Sequence, residues 1–264
     1  MLGYSRSMLK RACLLLLSIP LLGALACPAR AQVQAAATPL LQRPPVQIPA
    51  PDPALKAALD ATRRGGLDDL VLAGFSGQPL AGWLEFAALR ARFDSLPPAR
   101  GAAFLAAHKG EPVAAAFRAE WLPALARRNE WPAFLEAWSS AIEDPALRCL
   151  RLQALMTMDR VDATWTTEAQ ALWRSSGASL PAQCDAPFAL LAAQGGLPDA
   201  LRWERFDKAA NAAQGAVMRS IARGFANPAD SAQAQAWAAY LDAPGGDVSA
   251  WPKSARSRLV AAAA

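Results

Sequence analysis

Strand-forming residues and histidine are both scarce in this chain. Ile, Val and Thr together number only 18 of the 264 residues, and His108 is the single histidine. Strands favour β-branched residues, so the sequence holds little material for a β-sheet. Alanine and leucine, which are strong helix formers, are abundant instead. The composition therefore predicts an all-α protein.

Sequence motifs of common catalytic sites are also absent. The chain has no GxSxG, no HExxH and no glycine-rich phosphate loop after a strand. His108 stands in "AAHKGEP", where we expect a surface residue or a C-terminal helix cap. We therefore predict no catalytic residue, no cofactor and no metal site in this sequence.

Two pairs of carboxylates have ordinary structural explanations. Glu143 and Asp144 precede a proline and are expected to cap the helix that begins "PALRCL". Glu204 and Asp207 lie three positions apart and are expected to form ion pairs in solvent with basic residues of their own helix. Those basic residues are Arg202, Arg205 and Lys208. Neither pair is expected to be catalytic.

The first 31 residues have the organisation of a secretory signal peptide. Basic residues precede the apolar run 12–26, and an A-x-A motif ends at Ala31, which places the cleavage before Gln32. The alternative is a lipoprotein signal, in which Cys27 would carry the lipid and hold the chain at the outer membrane. The signal peptide predicts a periplasmic protein. No later stretch reaches the roughly 18 apolar residues that a spanning helix needs, so we expect no membrane span.

The signal peptide also accounts for most of the net positive charge. Residues 1–31 contain four basic residues and no acidic one, so the formal charge of +5 falls to +1 in the remainder. A nearly neutral chain offers no general attraction to a polyanion. We therefore expect no nucleic-acid partner.

Two cysteines remain once the signal peptide, with Cys13 and Cys27, is set aside. These are Cys149 and Cys184, 35 positions apart. An even number of cysteines in an exported chain favours a disulfide. Closing a loop of this length would stabilise the fold by roughly 3–4 kcal/mol on the chain-entropy model. Two unpaired buried thiols are the alternative.

The rest of the chain divides into an arm and a helical region. Residues 32–53 contain six prolines and no helical period, which predicts an extended linker. From residue 54 to residue 264 apolar residues recur at helical spacing. One example is the predicted helix face formed by Trp131, Phe134, Leu135, Trp138 and Ile142.

Turn-forming sequences divide the helical region into short segments. Examples are "EDP" at 143–145, "QGGLP" at 194–198 and "NPAD" at 227–230. Pro123 either kinks its helix or marks the start of that helix. The spacing predicts roughly twelve short helices in antiparallel pairs, which is typical of an α-solenoid. A compact helical bundle is the competing architecture.

Several segments between residues 78 and 226 together resemble one family. They are "GQPLAGWLEFAALRARFD", "FRAEWLPALARRNEWPAFLEAW", "LRCLRLQALM", "AQALWRSSGASLPAQCDAPFALLAAQGGL" and "LRWERFDKAANAAQGAVMRSIAR". Their order resembles the N-terminal superhelical domain of soluble lytic murein transglycosylases. The resemblance implies a right-handed superhelix of short helices, a periplasmic location and a Cys149–Cys184 disulfide. It also implies peptidoglycan glycan strands as the partner.

The catalytic part of that family has no counterpart here. In the family a C-terminal lysozyme-like domain cleaves the MurNAc–GlcNAc bond and leaves a 1,6-anhydro product, with a glutamic acid as the general acid. Its Glu-Ser signature is absent from residues 1–264. The resemblance therefore implies the superhelical part of such an enzyme, inactive alone, whose missing catalytic domain would be its partner. We expect the helical domain 54–264 to be truncated, because "RSRLVAAAA" is a poor cap for a solenoid.

Two other interpretations stay open. The chain could be a stand-alone, non-catalytic helical-repeat protein that binds peptidoglycan or a periplasmic protein. It could also be an unrelated adaptor that shares only a general solenoid pattern. A polar final helix would favour the first of these, because a finished solenoid covers its last apolar face.

Overall fold

The computed structural model describes residues 52–64, 67–245 and 247–264. Several predictions fall outside these residues. They concern the cleavage site between Ala31 and Gln32, the alternative lipid-bearing Cys27 and residues 32–51 of the predicted linker 32–53.

Helices make up all the regular structure of the described residues, which contain thirteen α-helices, one short 3-10 helix and no strand. The first seven are α1 (Pro53–Arg63), α2 (Asp69–Ala73), α3 (Ala81–Arg90), α4 (Pro98–Ala107), α5 (Pro112–Arg127), α6 (Trp131–Ala137) and α7 (Pro145–Thr157). The others are α8 (Ala163–Trp173), the 3-10 helix η1 (Ala182–Cys184), α9 (Asp185–Ala193), α10 (Asp199–Asn211), α11 (Gly215–Ala222), α12 (Pro228–Asp242) and α13 (Ala255–Ala263). The all-α prediction is confirmed. Within the described ranges no helix is both long and apolar enough to cross a membrane.

Proline and short polar residues fix many of the helix starts. Six helices (α1, α4, α5, α6, α7 and α12) carry proline in their first turn, where its missing N–H leaves no bond unmade. Asp144 caps α7 by accepting a hydrogen bond of 2.9 Å from the amide of Leu147. Asp162 does the same for α8, from the amide of Trp165 at 2.8 Å. The capping role predicted for Asp144 is confirmed, and Glu143 takes no part in it.

Four helix ends close with a residue in the left-handed region. These residues are Asn129, Asp159, Gly195 and Ala213, with φ between 51° and 72°. At each, the next amide bonds back to a carbonyl in the last turn of the helix, as when the amide of Gln214 reaches the carbonyl of Ala209 at 2.8 Å. Ala213 is the costly member of this group, because its Cβ disfavours this conformation.

The helices pack mainly against near neighbours in chain order. All the larger helix–helix contacts join helices at most three positions apart. Two successive apolar cores result rather than one. The first contains Phe117 and Trp121 and is built around α3–α6, and the second contains Trp165 and Phe206 and is built around α8–α13. Helix α7 contributes side chains to both cores, for example Leu147 to the first and Leu152 to the second. This arrangement is that of a solenoid, not of a bundle around a single core.

The predicted helix face from Trp131 to Ile142 is wrong beyond Ala137. Helix α6 ends there, and Trp138 has an extended backbone. The carbonyl of Ala137 accepts a hydrogen bond of 2.8 Å from Nε of Arg118 on α5. This contact from another helix satisfies a carbonyl at the end of α6. Trp138 and Ile142 still pack against the first core, but they do so from an irregular segment.

Pro123 lies inside α5, with a full turn of helix on either side. The helix begins at Pro112, so the alternative that Pro123 marks its start is wrong.

Candidate functional site

The two cysteines of the helical region form a disulfide. Cys149 lies on α7 and Cys184 ends η1, with Cα atoms 4.8 Å apart and both residues buried. Beside the bridge, Nε2 of Gln153 donates to the carbonyl of Gln183 at 2.8 Å. The bridge spans α8 and the loop that follows it, and thereby ties the start of α9 to α7.

His108 is the C-terminal cap residue of α4, which is one of the two roles expected for it. Its side chain, however, is not on the open surface. It is 15% exposed, and its two ring nitrogens lie 3.2 Å from Glu85 and 3.1 Å from Glu111. The ring also packs on Phe104, with centroids 4.5 Å apart. His108 therefore links Glu85 on α3, Phe104 on α4 and Glu111, the residue before α5. No cluster of metal ligands is found around it or elsewhere in the described residues.

The ion pairs predicted for α10 are wrong in their partners. Glu204 pairs with Arg174, just after α8, at 3.7 Å. Asp207 forms a bidentate pair with Arg256 on α13, whose guanidinium lies over the ring of Trp203. Each of the two carboxylates therefore pairs with a cation from another element and not with one of its own helix.

Eight of the nine tryptophans lie in or pack against the two apolar cores. Four are buried, namely Trp121, Trp165, Trp173 and Trp237. Trp83 on α3 is the most exposed, at 40%. Trp138 is half-buried and lines a pocket.

We call this cavity the Trp138 pocket. It has a volume of about 410 Å³, and Trp138, Glu143, Arg148, Arg151 and Glu168 are among its lining residues. The segment after α6 supplies the first two residues, α7 supplies the arginines and α8 supplies Glu168. The pocket therefore exists only because three successive elements meet.

Two of the charged groups in the Trp138 pocket already have partners. Arg151 forms an ion pair with Glu168, and its guanidinium lies 5.5 Å from the centre of the Trp138 ring. The same ring stacks on Phe134 at 5.9 Å. Arg148 and Glu143 form no ion pair with any described residue. Among the described residues the pocket thus presents a cation and an anion outside any ion pair, together with an aromatic ring, which suits a polar ligand with several hydroxyl or amide groups.

This pocket has only a faint signal in the sequence. Trp138 was expected on the same helix face as Phe134, and the pocket exists because α6 ends before it. Arg148 and Glu143 are five positions apart, and neither belongs to a recognisable motif.

The chain is similar in fold to solved structures of known proteins. No family model matches the chain, and no curated protein matches it. The 70-kDa soluble lytic transglycosylase in complex with bulgecin A matches with a TM-score of 0.63 and 20% identity, over 79% of this chain and 34% of that one. The chain has the fold of the superhelical part of a soluble lytic transglycosylase.

Two further structures agree with this fold. An inactive mutant of the lytic transglycosylase Slt from Pseudomonas aeruginosa matches with a TM-score of 0.62 and 22% identity, covering 81% of this chain and 35% of that one. The 70-kDa soluble lytic transglycosylase from Escherichia coli matches with a TM-score of 0.62 and 20% identity, covering 79% and 34%. This chain spans about a third of the length of each of these transglycosylases.

Proposed function

We propose that this chain is the superhelical part of a periplasmic lytic transglycosylase and that it contacts the glycan strands of peptidoglycan. The observation that carries the proposal is the fold match over about four-fifths of the chain to three structures of such enzymes. The sequence segments between residues 78 and 226 that resemble the family support it independently of the fold.

In this proposal the chain contributes binding and not bond cleavage. The carboxylates of the described residues that stand in pockets are ion-paired or exposed, and the family's Glu-Ser signature is absent from the sequence. Cleavage of the MurNAc–GlcNAc bond, with its 1,6-anhydro product, would belong to a lysozyme-like domain outside these 264 residues. The superhelix would hold the glycan or the catalytic domain in place.

The Trp138 pocket is the glycan contact that we propose. Arg148 and Glu143 can donate and accept hydrogen bonds to sugar hydroxyl and acetamido groups, and both have unused capacity among the described residues. The ring of Trp138 would supply apolar contact to a sugar ring.

Co-sedimentation with purified peptidoglycan sacculi tests this proposal. The full chain should sediment with sacculi, and Arg148→Ala and Glu143→Gln should each reduce the bound fraction. Arg160→Ala removes an exposed arginine just beyond the same helix and should leave binding unchanged. Failure of the wild-type chain to sediment would refute glycan binding. Release of 1,6-anhydro products by this chain alone would refute the non-catalytic role.

An immunoblot of the periplasmic fraction separates the two roles considered for the chain. With an antibody to residues 54–264, a band far above 27.9 kDa would place the chain in a longer enzyme. A band slightly below 27.9 kDa would favour a stand-alone binding protein and contradict the proposed partnership with a catalytic domain.

A further inference from the structure

A second cavity is lined in part by Cys184 of the disulfide and contains two arginines. Its volume is about 460 Å³, and it is lined by residues of the η1–α9 region on one side and of α10 and α11 on the other. We call it the Arg202–Arg205 pocket. The two arginines are three positions apart on α10, so they share a helix face. Much of the remaining lining is apolar, with Trp173, Phe188 and Ile221 among it.

Arg205 is a buried cation held by backbone carbonyls. The residue is only 8% exposed. Its Nε donates to the carbonyl of Ser176 at 3.2 Å, a terminal nitrogen donates to the carbonyl of Ala178 at 3.4 Å, and the guanidinium lies 4.8 Å from the centre of the Trp173 ring. Burial lowers the pKa of Arg205. No acidic side chain among the described residues forms an ion pair with it.

Arg202 is less buried but has a poorer set of partners. Its side chain is 14% exposed, and its Nε is buried and makes no hydrogen bond within the described residues. The nearest carboxylate oxygen, on Asp199, is 3.9 Å away and already accepts a hydrogen bond of 3.0 Å from the amide of Ala226. Burial lowers the pKa of Arg202, and the negative charge of Asp199 only partly opposes this effect.

Gly224 provides the space that the Arg202 side chain occupies. A Cβ atom at position 224 would overlap the end of the Arg202 guanidinium. The backbone of Gly224 does not have a positive φ, so turn geometry does not require glycine there. The glycine therefore matters for the position of the arginine, which is set against the turn after α11.

The charge balance of this pocket is unfavourable for the protein alone. Two guanidinium groups are largely removed from water on one helix face. Two carboxylates lie nearby, but Asp199 is weakly placed beside Arg202, and the exposed Asp185 forms no ion pair with either arginine within the described residues. Removing a cation from water costs several kcal/mol unless a close anion compensates. An arginine fork offers paired donors that match a carboxylate, so a ligand with that group would supply the missing compensation.

We propose that the Arg202–Arg205 pocket binds the carboxylate of a small organic acid with an apolar body. The arginines would hold the carboxylate, and Trp173, Phe188 and Ile221 would contact the apolar part. A single negative charge fits better than the double charge of phosphate, because the exposed carboxylate of Asp185 also lines the pocket. This inference does not depend on the proposed function, since it concerns another cavity and another kind of ligand.

Calorimetric titration of the full chain with three probes tests the assignment. N-acetyl-leucine carries the carboxylate and an apolar body, its amide has the same shape without the charge, and inorganic phosphate is the alternative anion. We expect N-acetyl-leucine to bind, with the amide weaker by about tenfold or more, as for a lost hydrogen bond to a charged group. Equal binding of acid and amide, no binding of the acid, or tighter binding of phosphate would each overturn the proposal.

Three variants show whether the arginine pocket is responsible. Arg202→Met removes the charge at similar length and should weaken N-acetyl-leucine binding by about tenfold or more. Its melting temperature should stay the same or rise, because a poorly compensated charge is replaced by an apolar side chain. Gly224→Ala keeps the charge and displaces the guanidinium, so it should also weaken binding. Arg223→Gln removes an exposed arginine nearby and should leave binding unchanged.

The pattern across the variants decides between the pocket and a general charge effect. Normal binding by Arg202→Met would refute the site. An equal loss in Arg223→Gln would show attraction to net charge and would also refute it. If Arg202→Met melts at a much lower temperature than the wild type, then Arg202 stabilises the fold, and the reasoning above is contradicted.

Discussion

Replacing the cysteines should remove most of the stability that the disulfide provides. Cys149 and Cys184 are 35 positions apart and both are buried. On the chain-entropy model, opening a loop of this size costs about 4 kcal/mol at 25 °C. For a helical region of this size, that loss corresponds to a fall in melting temperature of roughly 8–16 °C.

The assay is urea and thermal unfolding followed by circular dichroism, with and without reducing agent. The double variant Cys149→Ala/Cys184→Ala and each single variant should lose nearly the same free energy of unfolding, because either change breaks the same bond. The free energy of unfolding of the reduced wild-type protein should be close to that of these variants. The exposed Arg160→Ala variant should behave like the oxidised wild type.

Two results would refute this reasoning. If reducing agent leaves the wild-type melting temperature unchanged, the bridge does not stabilise the fold. If the two single changes add in the double variant, the sulfurs act as independent buried groups, which is the alternative that the sequence left open.

Three further predictions concern local backbone and pocket geometry. Ala213→Gly should raise the free energy of unfolding, measured by urea titration, by about 0.5–1 kcal/mol, because Ala213 has a φ of 51° that glycine adopts freely. A lower free energy of unfolding in this variant would contradict the prediction. Gly177→Ala should lower the free energy of unfolding by about 1–3 kcal/mol in the same titration. The added Cβ would overlap the backbone of Lys208, which cannot rotate away. Unchanged stability would show that the loop containing Gly177 can shift. In co-sedimentation with sacculi, Arg148→Ala should bind less than Arg160→Ala, and equal binding would remove the Trp138 pocket from the proposed function.

The fold class and many helix limits could be predicted from the sequence because their causes are local. Low strand propensity and abundant alanine and leucine specify helix, and proline with a preceding cap specifies where a helix begins. The starts of α7 at Pro145 and α12 at Pro228 follow from "EDP" and "NPAD" in this way. The pairing of the two cysteines was similarly accessible, because the predicted signal peptide, once set aside, leaves each of them only one partner.

Local reasoning failed wherever another helix decided the outcome. Helix α6 stops at Ala137, whose carbonyl is satisfied by Arg118 of α5, and the Trp138 pocket depends on that stop. The carboxylates of α10 pair with Arg174 and Arg256, which no spacing rule along the helix relates to them.

Local sequence signals specify a series of short helices, many of whose starts they place, and one possible pairing of two cysteines. Which side chains share a cavity follows only from the packing of those helices. From the sequence, Arg202 and Arg205 are ordinary solvent-facing partners for Glu204 and Asp207. In the fold, Arg205 is buried against Trp173 and two backbone carbonyls, and Arg202 lies against Gly224 after α11. The physical reason is that helix propensity depends on neighbours a few positions away, whereas desolvation depends on atoms brought together from distant parts of the chain.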